Sequence, residues 1–507
     1  MDPSGTTGVT GAPAEKHGGP MSEQFEVGTP APAAHRRNGL RTGLIAGVTA
    51  VVVGGAAFGG WQLQQFLAGG GPQPEDVLPA STVAFASIDL DPGAGQKLAA
   101  YQLLKKFPDA HVTDQTDLKQ KAWDALDDSS VAHLDYAKDV KPWLGDRFAI
   151  AAVPAPGTDD GFTPLGVVQV TDTDAAAKAF RHIADANQHP AKPDFFWAFE
   201  DGYALIADDQ SELDAIVAAD QHLADSAAFR HDRDSLGGDQ VAMAWTDLGA
   251  AWSAAPVDAR KDLTRAWGKQ VNPAGTLVAG ISLTSRSVDL TGHGFGVSTG
   301  GAGASAGLTP GTGLVETLPA DSDVVVGLTG LGPALAKAWD TYGENGDPFG
   351  LGQQADALGL RLPGDLQALF GSELAVGATL AGDQVHVTAT AISPDAQRGA
   401  EVWNTGASML SSRDYPAKAT GDRWIATDRS STGATLGSND LFRSVVPDAG
   451  RANAVLFVDI PAVEDTMGSM GPGGTTESES NPMRAVGFSV TGTQQQVDLS
   501  GHLLLKD

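Results

Sequence analysis

Along most of the chain, apolar and polar residues alternate in short runs. "STVAFASIDL" (81–90), "FAIAAV" (148–153), "LGVVQVTD" (165–172) and "FFWAFEDGYALIADD" (195–209) set apolar side chains near every second position. That is the period of a strand with one buried face. "AGISLTSRSVDLTGHGF" (279–295) reads as two such strands joined by a turn. Between them, "AGQKLAAYQLLKKF" (94–107), "DLKQKAWDALDD" (117–128), "DAAAKAFRHIADAN" (174–187) and "SELDAIVAAD" (211–220) space their apolar residues three and four apart, as amphipathic helices do. Ser211, with Asp214 three residues later, has the form of a capping box, and Ser430 repeats the position further on. Many strands follow one another through turns too short for a helical crossover, so the sheet is expected to be largely antiparallel. The pattern predicts an α+β fold with helices on one face of a mainly antiparallel sheet.

The pattern is stated twice. "LPA" recurs at 78–80 and 318–320, "WLGDRFAIAAV" (143–153) is answered by "LFGSELAVGAT" (369–379), and "LIADDQS" (205–211) by "WIATDRS" (424–430). "AAFRH" (227–231) is answered by "DLFRS" (440–444), "VAMAWTDL" (241–248) by "AVLFVDI" (454–460), and "GISLTSRSVDLTGHGF" (280–295) by "GFSVTGTQQQVDLSGHLL" (487–504). The offsets fall steadily through 240, 226, 219, 213 and 212 to about 207–209. Chance matches scatter; a monotonic fall is what a duplication with a few deletions in the second copy leaves. Two copies of one α+β unit are expected, at 76–297 and 314–507, with the Gly/Ala/Ser-rich stretch 298–313 as linker.

One segment breaks the alternation. No charged residue occurs between Arg41 and Glu75, and residues 44–63 are almost wholly apolar or small. At about 1.5 Å per residue, such a run crosses a hydrocarbon core. Arg36, Arg37 and Arg41 precede it, which puts the N-terminus in the cytoplasm. A transmembrane helix is expected at 42–66, after a disordered cytoplasmic tail (1–38) and before a flexible spacer (67–75), leaving the rest extracytoplasmic. A cleaved signal peptide is the competing reading, disfavoured because more than 35 residues precede the apolar run. Met21 is an alternative start. Lipid is thus an expected partner through 42–66, and the pairs Gly43/Gly47 and Gly55/Gly59 would let two such helices approach closely.

With 42% hydrophobic residues the remainder can bury a core. Residues 1–41 carry four bases and four acids, so the whole net charge of −29 falls on the rest. A surface that acidic repels phosphate backbones, which excludes nucleic acid as a natural partner. The chain has no cysteine, which removes disulfides, thiolate catalysis and Cys-ligated zinc.

Candidate chemistry is sparse. "GASAG" (303–307) matches the G-x-S-x-G nucleophile elbow, but Ser305 has no strand before it or helix after it. His182 and His189 are seven apart, but Pro190 places the end of the helix near His189. "FRHDRDS" (229–235) gathers His231, Asp232, Arg233 and Asp234; its counterpart "FRSVVPD" lacks the histidine, so a solvated, salt-bridged surface turn is expected. "DLDPG", "DTD" and "ENGD" fall short of a calcium loop, and neither a P-loop nor a G-x-G-x-x-G after a strand occurs. No catalytic, cofactor or metal residue is assigned. Pro79/Pro319, Gly145/Gly371, Phe229/Phe442, Asp247/Asp459 and the Gly-His pairs 292–293 and 501–502 recur in both halves. Recurrence marks turns, caps and core, and His293 and His502 are expected near strand ends, bonding into a turn.

The Arg-flanked span, "PEDVLPASTVAFASIDLDPGAGQKLAAYQLLKKFPD" (74–109) and "WLGDRFAIA" (143–151) resemble the actinobacterial, membrane-associated family called domain of unknown function 3352. The resemblance would cover roughly 70–507; it implies topology and compartment and carries over no catalytic residue. The expectation is a non-enzymatic, membrane-anchored binding or scaffolding module of the cell envelope. The alternatives are an extracytoplasmic carrier of an apolar ligand and a hydrolase using Asp/Glu and His.

Overall fold

The computed structural model describes residues 71–107, 135–158, 161–186, 195–267, 272–298, 310–343, 352, 355–356, 359–382, 384–410, 415–428, 433–470, 481–492 and 496–507. The expected tail (1–38), the membrane helix (42–66) with its glycine pairs, the helix at 117–128, His189, Ser305 and Ser430 lie outside them. Among the described residues no helix is long and apolar enough to cross a membrane.

The alternating runs form strands. The first half holds β1 (Ala84–Asp89), β2 (Leu144–Pro154), β3 (Phe162–Val170), β4 (Phe196–Glu200), β5 (Tyr203–Ala207), β6 (Ala242–Asp247), β7 (Ala274–Leu283) and β8 (Ser287–Ser298). The second holds β9 (Val324–Thr329), β10 (Glu373–Ala381), β11 (Gln384–Ile392), β12 (Ala417–Thr420), β13 (Arg423–Thr427), β14 (Ala454–Asp459), β15 (Met483–Gly492) and β16 (Gln496–Leu505). All join one 16-stranded sheet in the order β12-β13-β11-β10-β9-β14-β15-β16-β8-β7-β6-β1-β2-β3-β5-β4. Neighbouring strands pair antiparallel, as at β1–β2, β9–β14 and β8–β16. The halves do not stand as separate sheets: they meet edge to edge at β16–β8. Outward from that pair, the strands of each half follow one another in the same order.

The sequence set these elements in place by familiar means. The β4–β5 hairpin turns on Asp201 and Gly202, with φ of 42° and 82°, the two left-handed positions of a tight hairpin. The recurring "LPA" is a buried leucine followed by a bridge: Leu78 and Leu318 are buried, and Pro79 pairs with His222 as Pro319 does with Thr435. Helix Gln210–Val217 is capped by Asp209, whose carboxylate accepts from the Ser211 and Glu212 amides. The cap therefore lies two residues before Ser211, because an Asp in extended backbone reaches both amides.

Burial corrects the single helix-covered face. Leu165 and Val167 of β3 enter one core with Phe85, Phe229 and Trp245. Val168 and Val170 enter another with Trp143 and Phe180. Successive strand residues point to opposite faces, so the outer strands are covered on both sides; helix Thr173–Ala186 supplies the second cover. In the second half, Val325, Phe442 and Phe457 mirror the first core, and Trp424 and Trp403 form the counterpart of the other.

The described ends of the spacer and of the linker are held by the fold. Residues Pro74–Asp76 form a 3-10 turn with Pro74 and Glu75 buried. At the linker's end, Glu373 accepts from the Thr312 and Leu314 amides at 2.9 and 2.8 Å.

Candidate functional site

Residues opposite one another in an antiparallel ladder share a face. In the β8–β16 ladder the two copies of the Gly-His phrase pair with each other: Asp289 faces His502, Thr291 faces Ser500, and His293 faces Asp498. His502 Nδ1 lies 2.8 Å from Asp289 Oδ1, and His293 Nδ1 lies 2.8 Å from Asp498 Oδ1. The histidines are therefore not bonded into turns at strand ends. They sit within strands and tie the halves together, a pairing that no local sequence signal shows. Ser500 Oγ lies 2.9 Å from His502 Nε2, and Ser287 Oγ donates to Asp289 Oδ2 at 3.0 Å. With the Nδ1 proton held by Asp289, Nε2 is the acceptor for the Ser500 hydroxyl. His502 and Asp289 side chains are 27% and 19% exposed, so water reaches the group.

The "FRHDRDS" cluster is a helix, Ala227–Ser235, started by Ser226, which accepts from the Phe229 amide. Its helical period turns Phe229 and Asp232 inward, both nearly fully buried, which corrects the expected solvated turn. A buried carboxylate needs partners, and Asp232 has two: Trp245 Nε1 donates to Oδ2 at 2.8 Å, and His231 Nδ1 lies 3.1 Å from Oδ1. The His231 ring meets Phe295 edge-on at 4.8 Å, and Phe295 lies 6.0 Å from His293. This helix thus flanks the His293 end of the seam. Diagonally opposite, helix Asp440–Val445 sets the Val445 carbonyl against Gly487, the residue across the ladder from His502. Glu75, beside Arg233 at 3.5 Å, has its carboxyl pushed up by burial.

The recurring aspartates diverge. Asp247 caps helix Leu248–Ala254 through the Ala250 amide, whereas Asp459 accepts from Arg484. A further His–Asp pair, His386 and Asp428 at 2.9 Å, joins β11 to the end of β13. Among the described residues no group of three or more His, Asp or Glu is arranged to hold a metal ion. One open cavity of about 430 Å³ is lined by Pro79, Ala80, Ser81, Ala219, Asp220 and Gln221.

The opposite face of the central strands is apolar. Ile281, Leu290, Gly501, Phe488, Leu456 and Val326 lie in one row across six strands. None belongs to a buried cluster among the described residues. Leu456 and Val326 are 40% and 38% exposed, and Leu277 on the same face is 38% exposed. Leu290 and Phe488 close over Gly501, whose missing side chain lets them approach.

The family model described as "Protein of unknown function (DUF3352)" matches residues 44–350, from within the apolar run to early in the second half. No curated protein matches the chain. The solved structure titled "Structure of crystal form I of TP0453" is 7% identical, covers 71% of this chain and 93% of its own, and superposes with a TM-score of 0.14. That likeness carries no inference about fold or function.

Proposed function

We propose, for a chain that belongs to the DUF3352 family of proteins of unknown function, a membrane-anchored binding module that works outside the cytoplasm. Residues 42–66 are its anchor, and two copies of one α+β unit, joined through β8 and β16, are its body. Support for duplication comes from the declining offsets in the sequence and the matching strand order on either side of the seam. The observation that carries the binding reading is the half-exposed apolar row on the central strands. Its partner is an apolar surface of an envelope component, and the strongly acidic remainder keeps the body soluble and away from nucleic acid.

A carrier of an enclosed apolar ligand has less support: the cavity beside Pro79 is walled by small and polar residues, whereas such pockets are lined mainly by large apolar ones. The topology is tested by protease added to intact protoplasts, which should digest residues after about 70 and spare the tail. The surface is tested with a photo-crosslinking amino acid at Leu456 in living cells, against the same residue at Asp258, whose side chain is 91% exposed. Position 456 should capture an envelope component that position 258 does not; equal capture at both removes the reading.

A further inference from the structure

We propose that Ser500, His502 and Asp289 form an acyl-transfer centre that hydrolyses a carboxylic ester. The inference goes beyond the binding role and does not rest on it. Its basis is the relay at the seam: Ser500 Oγ to His502 Nε2 at 2.9 Å, then His502 Nδ1 to Asp289 Oδ1 at 2.8 Å. A nucleophile within hydrogen-bond reach of a base, itself oriented by a third group, is the arrangement that activates a serine. The carboxylate is fixed in turn by Ser287. A lock between strands needs only the His–Asp pairs, and the seam has two of them. The serine on Nε2 is additional, and Thr291 occupies its place in the mirrored copy.

Ser489 and Thr291 lie directly across the two ladders from Ser500. They put a hydroxyl-bearing residue on each side of it, and in the proposed centre these are the donors for the oxyanion that the reaction needs stabilised. Asp289 comes from the first half and Ser500 and His502 from the second, so the centre exists only when the seam is closed. In the reaction, His502 Nε2 takes the hydroxyl proton as Ser500 Oγ attacks the ester carbonyl carbon. The bond to the alkoxy oxygen breaks, and the leaving alcohol takes the proton from His502. Water, deprotonated by the same nitrogen, then hydrolyses the acyl-serine, so ester and water become acid and alcohol.

The test uses the full chain in detergent with a fluorophosphonate probe and p-nitrophenyl butyrate. Mass spectrometry is expected to place the probe on Ser500. Ser500→Ala should abolish labelling and turnover with its melting temperature unchanged. Asp289→Asn should slow labelling by about 10²-fold or more, while His293→Gln in the mirrored pair leaves the labelling rate at the wild-type value. Folded wild-type protein that takes no probe at Ser500 overturns the proposal and leaves a strand-pairing lock only. So does turnover that survives Ser500→Ala.

Discussion

Asp365 and Glu75 are both carboxylates taken largely out of water, and their surroundings push them in opposite directions. Arg398 grips Asp365 with two nitrogens, at 2.7 and 2.6 Å, and this hydrogen bonding holds the carboxyl below its usual range. Glu75 has a looser cation at 3.5 Å, and burial outweighs it, so its carboxyl is pushed up. The depressed Asp365 stabilises the fold above the ordinary aspartate range, and that contribution is lost as pH falls through its folded value. Asp365→Asn should therefore cost about 2 kcal/mol at pH 7, with the gap to wild type closing below about pH 4, as read from denaturant melts across pH. Glu75 has the other sign: its proton is held more tightly in the folded state, so its contribution favours folding in acid and is lost as pH rises through the raised value. Glu75→Gln should cost little at pH 7, and its stability relative to wild type should rise from pH 4 to pH 7. A large loss at neutral pH would show that Arg233 matters more than burial does. Neither sign was legible in the sequence, since the cations that decide them, Arg398 and Arg233, arrive from 33 and 158 residues away.

At the scale of single elements, alternation was the most legible signal, and it worked where one face is dry. Phe457 and Leu456 are neighbours on β14, 1% and 40% exposed. Phe457→Ala should cost about 3–5 kcal/mol, and Leu456→Ser should stay within about 0.5 kcal/mol of wild type; equal losses would mean both faces are packed. The recurring glycines were legible as a pair but not as two different cases. Gly371 ends helix Gly364–Phe370 with φ of 59°, and a Cβ there would overlap the Ile392 carbonyl oxygen. Gly371→Ala should cost about 3 kcal/mol or more, because neither backbone can retreat. At Gly145 the atoms nearest a Cβ all belong to the Gln169 side chain, which bonds the Asp146 amide. Gly145→Ala should cost about 1 kcal/mol, the worth of that bond. The helix at 227–235 reads as a surface turn in the sequence because its partners lie elsewhere in the chain. Its charged residues mask the inward turn of Asp232, and the partner that meets the buried carboxylate from outside the helix, Trp245 on β6, is not visible from the local sequence.

For the whole molecule, the repeated phrases announced two halves, but they gave no hint that the halves share one sheet. Register within a hairpin follows from its turn, whereas β8 and β16 are joined by a ladder between residues about 200 positions apart, which no local pattern specifies. Once joined, the sheet among the described residues ends at β4 and β12, of five and four residues, the latter carrying the exposed Lys418. Short, charged edges resist pairing with other chains. Opening the seam would expose two long edges, β8 with 12 residues and β16 with 10. Their nine paired positions should therefore hold even without the covalent link. A protease site placed at 303–307 and cut should yield two fragments that co-elute in native buffer and separate only in denaturant. Replacing Asp289 and Asp498 together by Asn keeps the ladder but weakens both charge-assisted bonds to histidine, so separation should move to lower denaturant concentration. Fragments that part in native buffer would show instead that the linker, and not the ladder, keeps the halves in one sheet.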